Sequence, residues 1–198
     1  MYALQAAVLD TVVLKGTKNY TIDRREKRST NASDGTVHTT FGTVQRDAPM
    51  VNFTTVGCKT LLNALSTSLD VPMKNIGTAL DLHFAQQSST APGFGGTHPG
   101  IRIAKGHVYL AGLKWSPGAD GLEATVAAYA LSTDGTTDAL TAITPTLNTP
   151  QSDEVFTLTS LTVGGVAVPK TASFDLAIAH QGENNDETLC YDYGLPRP

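Results

Sequence analysis

The chain has little of what enzymes and cofactor proteins display. Aromatic residues make up 7% and charged residues 16% of its 198 residues, with one Trp and two Cys. Two cysteines so far apart in sequence, Cys58 and Cys190, make no disulfide framework, and they read as buried free thiols rather than a bridge. No apolar run approaches the length of a membrane span, and Asp10 interrupts the opening MYALQAAVLDTVVLKG with no basic segment before it. A signal peptide and a membrane partner are therefore not expected. No GxSxG, HExxH, CxxC or P-loop pattern occurs. His38, His83, His98, His107 and His180 show no metal-ligand spacing among themselves, with the acids or with the cysteines. Gly93-Phe94-Gly95-Gly96 follows no strand directly and opens no helix, so it reads as a surface loop rather than a phosphate cradle. Glu183-Asn184-Asn185-Asp186-Glu187 lacks the spacing of a calcium loop and reads as a solvated turn. Asp153 and Glu154 are adjacent, so on a strand they would face opposite ways, which gives no support to paired-carboxylate chemistry. Trp115, Tyr191 and Tyr193 could line a sugar site, although aromatics this sparse more often serve a core. The expected catalytic, cofactor and metal sets are all empty.

What is present is a pattern. Residues 49 to 69, PMVNFTTVGCKTLLNALSTSL, read as a strand running into a helix. Met50, Val51 and Phe53 suit a half-buried strand, and Thr54 or Thr55 can cap a helix over Val56 to Leu65. Cys58, Leu61, Leu62, Leu65 and Leu69 then fall at i, i+3, i+4, i+7 and i+11, one apolar helix face. Almost everything else alternates as strands do. Residues 3 to 14 and 18 to 28 predict two strands, Leu80 to Ala85 a third, then strands through Val108 to Trp115 and Leu122 to Leu131. Val155 to Val163, a turn at Gly164-Gly165, Val166 to Val168, and Ser173 to Ala179 predict the last ones. Residues 88 to 100 and 132 to 152 read as long connections. The expected fold is mainly β: one antiparallel β-sandwich or barrel over residues 1 to 198, with one packed α-helix and a long extended loop or hairpin arm.

That arm is the polar stretch Ser29 to Ala48, STNASDGTVHTTFGTVQRDA, with a turn signal at Asp34-Gly35 and only Val37, Phe41 and Val44 to bury. Charge is uneven around it. Residues 1 to 60 hold eight basic and five acidic side chains, +3, while the net charge of −4 leaves −7 on the remainder. The run Arg24-Arg25-Glu26-Lys27-Arg28 contains an acid and no interleaved aromatic, which argues against specific nucleic-acid binding. Opposed charge on two parts of one subunit suits copies that stack head to tail. The glycosylation sequons at Asn19, Asn31 and Asn52 are read as coincidental.

In this order the layout resembles the tail-tube proteins of bacteriophages and related virion structural proteins. Strands over Val12 to Arg28, the arm Ser29 to Ala48, the strand Met50 to Phe53 and the helix Val56 to Leu65 carry the likeness, with the turn-rich DGTVHTTFGTVQRDAPMVNF and LTVGGVAVPKTASFDLAIAH. The resemblance implies a non-enzymatic virion subunit, made in the host cytoplasm, that forms rings, commonly hexameric. These rings would stack into a tube, with other virion proteins as partners and DNA passing through without specific binding. An acidic lumen would repel phosphate. The expected assembly surface comprises Arg24, Arg25, Lys27, Arg28, Val37, Phe41, Val44 and Arg46. The connections at 88 to 100 and 132 to 152 are long for a minimal tube subunit. A capsid decoration or head–tail connecting protein, or a carbohydrate-binding β-sandwich of a tail fibre, would share the composition.

Overall fold

A computed structural model describes residues 2–24, 27–31, 41–46, 49–65, 73–86, 97–116, 121–132, 137–147, 156–168 and 173–178. Its strands are β1 (Tyr2–Leu9), β2 (Val12–Leu14), β3 (Thr17–Asp23), β4 (Lys27–Asn31), β5 (Phe41–Arg46), β6 (Met50–Thr55), β7 (Met73–Asn75) and β8 (Leu80–Gln86). They continue as β9 (Gly100–Ile103), β10 (Gly106–Trp115), β11 (Glu123–Ala130), β12 (Thr141–Ile143), β13 (Leu161–Val163), β14 (Val166–Val168) and β15 (Phe174–Ala177). One helix, α1 (Cys58–Leu65), lies among the described residues.

The strands form two antiparallel sheets of the sandwich class that the alternation predicts. One runs β12-β9-β8-β1-β2; the other runs β15-β10-β11-β6-β3, with β7 also paired to β10. Alternation explains the layering. Leu80, Leu82 and Phe84 on β8 meet Val51 and Phe53 on β6 and Val108 and Leu110 on β10 in one apolar cluster. The inward side of β11 is almost all small, with Ala124, Ala128 and Ala130 each fully buried. Small side chains there leave room for Phe53 and the leucines opposite. Gly106 has φ of +152°, and a Cβ there would fall 1.9 Å from the Tyr129 carbonyl oxygen. Only glycine lets β10 start so close to β11.

The helix bridges the layers. Thr55, completely buried, donates its hydroxyl to the Lys15 carbonyl and accepts from the Gly57 amide at 3.1 Å. That turn occupies Val56 and Gly57, so the helix starts at Cys58 and not at Val56. A Cβ on Gly57 would stand 3.1 Å from that of Lys15, so the turn is tight as well as capped. Cys58, Leu61 and Leu65 are buried and Leu62 packs half-buried against the same cluster, whereas Leu69 lies outside the described residues. The helix lies against β2 of one sheet, and Cys58 Sγ donates to the Leu122 carbonyl at 3.3 Å, at the entry to β11 of the other. Cys58 is a free thiol; Cys190 lies outside the described residues.

Three expectations about boundaries are corrected. The first predicted strand is a hairpin, because Asp10 takes φ of 58° and turns β1 into β2. Its backbone N–H donates to the Ala79 carbonyl at 2.7 Å, and its carboxylate accepts from the Gly77 and Thr78 amides at 3.0 and 2.7 Å. Lys74 Nζ completes the clasp at 2.6 Å. The connections predicted at 88 to 100 and 132 to 152 contain the start of β9 and all of β12. Strand structure in the stretch from Val155 begins only at Leu161.

Candidate assembly interface

The arm grows out of the sheet. β3 and β6 pair from Thr17↔Thr55 to Asp23↔Met50, and beyond them β4 and β5 pair from Lys27↔Arg46 to Asn31↔Phe41. The β4–β5 pair of the arm is therefore nested in sequence within the β3–β6 pair. Its root is the edge of a six-stranded sheet, and its outer part is a two-stranded sheet of its own. The root is held firmly. Thr54 Oγ1 donates to the Lys18 carbonyl at 2.8 Å, and Lys18 Nζ lies 2.5 Å from Glu123 on β11. Asn19, with φ of 51°, sits at a bulge between Lys18 and Tyr20. Extra twist at a bulge turns an edge strand away from unwanted pairing. The Tyr20 ring, 40% exposed, lies 4.7 Å from that of buried Phe84 on β8, a contact between the two sheets.

The structure distributes the expected interface residues as follows. Arg24 is exposed immediately after β3. Lys27 and Arg28 open β4; Phe41, Val44 and Arg46 lie on β5, with Arg28 opposite Val44. Arg25 and Val37 lie outside the described residues, as do Asp34 and Gly35. The ladder thus brings Lys27, Arg28, Val44 and Arg46 together at the base of the arm and puts Phe41 at its far described end.

The hairpin expected around Gly164-Gly165 is present as a second ribbon, but its separation from the two large sheets was not foreseen. Among the described residues β13 and β14 pair only with each other, through Leu161↔Val168 and Val163↔Val166, around Gly164 and Gly165 at φ of 57° and 81°. Opposed residues share a face, so Leu161, Val163, Val166 and Val168 line one side. Val163 is 63% and Val166 69% exposed. The signal was in the sequence: residues 155 to 169 contain no charged side chain.

Elsewhere the polar groups serve the fold. Arg102 grips Asp81 with Nε and Nη2 at 2.8 and 2.7 Å, which raises its pKa further. His83, buried on the same sheet, is pushed below its ordinary value by burial, against the pull of Asp81 and with the help of Arg102. His107 Nδ1 donates to Asn75 Oδ1 at 2.6 Å, near the stacked rings of Tyr109 and Tyr129 at 5.7 Å. Among the described residues, no three His, Cys, Asp or Glu side chains group as a metal site, and no helix is long and apolar enough to cross a membrane. Trp115 ends β10 opposite Phe174, while His38, His180, Gly93 to Gly96, Asp153, Glu154, Glu183 to Glu187, Tyr191 and Tyr193 lie outside the described residues. Compared with known proteins, the chain matches no family model, no curated protein sequence and no solved structure.

Proposed function

We propose that this protein is a non-enzymatic virion subunit, a phage tail-tube protein whose copies assemble into rings that stack around a DNA conduit. The observation that supports this reading best is the nested arm pairing, β4 with β5 within β3 with β6. Its root is built into the sandwich edge, and its outer part forms a sheet outside both layers. A polar two-stranded ribbon has no core of its own and is marginal alone. A neighbouring subunit is the natural support for such an element. The antiparallel sandwich and its short helix supply a rigid base from which the arm projects. Residues 61 to 198 carry −7, a charge that suits a conduit through which nucleic acid slides without sticking.

Deletion of residues 31 to 46 tests the reading, because the β3–β6 ladder that roots the arm remains. The shortened chain is expected to stay folded, with an unchanged circular dichroism melt to within a few degrees, and to remain monomeric by light scattering where the full chain forms rings. Ring formation by the deletion variant as readily as by the full chain would defeat it.

A further inference from the structure

Among the described residues, five of the six exposed large apolar side chains fall in the one stretch from 156 to 176: Phe156, Val163, Val166, Val168 and Leu176. They make two surfaces of different shape. The first is a projection, in which Val163 and Val166, the most exposed of the five, flank the Gly164-Gly165 turn and share a face of the ribbon with Leu161 and Val168. The second is an opening. Leu176 on β15 stands opposite Leu113, which stands opposite fully buried Ala124, so all three lie on the core-facing side of their sheet. Leu113 packs against the core, yet Leu176 is 41% exposed, so at this edge the apolar side of the sheet runs on past its cover. Phe156 lies towards the same end, with its carbonyl accepting from the Leu122 amide at the entry to β11.

Building on the tail-tube reading, we infer that the ribbon of one copy lies, aliphatic face down, over the open sheet edge at Leu176 of the next copy. Both surfaces belong to one chain but do not cover each other within it, since all five side chains stay exposed. A head-to-tail contact between copies covers both at once, and a contact between two different surfaces is the kind that closes rings. Charge favours the same occupant. Residues 155 to 169 contain no charged side chain, while the whole chain carries −4, so like-charged copies meet most readily where neither presents charge. On β15 the one charged residue, Asp175, stands beside Lys114 on the other side of the sheet. Size sets the strength. Five side chains are far fewer than the roughly 20–30 residues a side of a stable pair, so this contact does not hold two copies by itself and acts together with the arm.

The test measures assembly of the full chain by light scattering. Val166→Lys and Leu176→Glu, both at exposed positions, are each expected to raise the concentration for half-assembly by about tenfold or more. An equimolar mixture of the two variants is expected to assemble better than either alone. In an alternating ring half of the contacts are then parental, and the other half bring the introduced ammonium against the introduced carboxylate. Circular dichroism melts confirm that each variant is folded, and Leu176→Ser takes the place of Leu176→Glu in both measurements if the latter does not fold. Parental assembly by both single variants overturns this inference and leaves the tail-tube reading standing. Weakened assembly that the mixture does not rescue also overturns it, in favour of the ribbon packing on its twin or on another virion protein. A parent chain that never associates overturns both.

Discussion

The arm β4–β5 and the ribbon β13–β14 both leave the sandwich as two-stranded sheets, and they are made of opposite materials. The arm carries five cationic residues in and around its root, followed by Ser29, Thr30 and Asn31. The ribbon has no charge and presents four aliphatic side chains on one face. Their attachments also differ. The arm continues a ladder already fixed by β3 and β6, whereas the segment carrying the ribbon is tied to the body by backbone bonds at its flanks. Leu122 N donates to the Phe156 carbonyl at 2.9 Å and Ile178 N to the Ala111 carbonyl at 2.8 Å. The difference teaches that two-stranded extensions can draw on different forces. One is suited to contacts that salt weakens, the other to contacts that bury apolar surface.

If stability resides in the sandwich and not in its extensions, the largest effect belongs to the core. Phe53, 1% exposed between the sheets, should cost about 3–5 kcal/mol when changed to alanine, measured by denaturant unfolding. A loss under about 1 kcal/mol would mean that the sheets are not packed as described.

The next effect tests the clasp at Asp10. Changing Asp10 to alanine leaves the Gly77 and Thr78 amides and Lys74 without their acceptor and should cost about 1–3 kcal/mol near neutral pH. Burial pushes the Asp10 carboxyl up, but Lys74 and the two amides together outweigh it and hold the group below its ordinary value. A carboxylate with a depressed folded pKa stabilises the protein above its unfolded value, and that contribution is lost as pH falls through the folded value. The gap between the parent and Asp10→Ala should therefore be full at neutral pH and shrink below about pH 4. A gap independent of pH would show that the carboxylate's charge is not what closes the turn.

The smallest effect sharpens the contrast with the ribbon. Val166→Lys should change stability by less than about 0.5 kcal/mol, since the side chain is 69% exposed, while lowering the binding of an apolar dye. A loss as large as that for Phe53 would place the ribbon within the folding core.

The body was more legible in the sequence than either extension, for physical reasons that individual residues make plain. Cys58, Leu61 and Leu65 recur at helical spacing and their burial needs no tertiary information, and Leu80, Leu82 and Phe84 alternate in the same self-evident way. The turn at Asp10 was hidden because Asp10-Thr11 contains neither glycine nor proline, and the left-handed conformation is stabilised by partners some 65 residues away. β7 and β12 are three residues each, too short to show a period, and exist because β10 and β9 offer them an edge. The arm residues Lys27, Arg28, Val44 and Arg46 were legible as a polar segment with basic flanks, but their juxtaposition was not. A bulge between Lys27 and Arg28 sets the register, and pattern alone does not reveal a bulge. The exposure of Val163 and Val166 was invisible for the opposite reason. Their alternation is that of a core strand, yet among the described residues β13 and β14 belong to neither large sheet, and both side chains stay at the surface.

Negative-stain electron microscopy of the purified full chain, beside its mass by light scattering, tests the central claim most directly. The account predicts rings or tubes with a central hole, of a mass several times 20.8 kDa, that disperse as salt is raised. A monomer of 20.8 kDa at every concentration and salt, with no ring in any field, would contradict it.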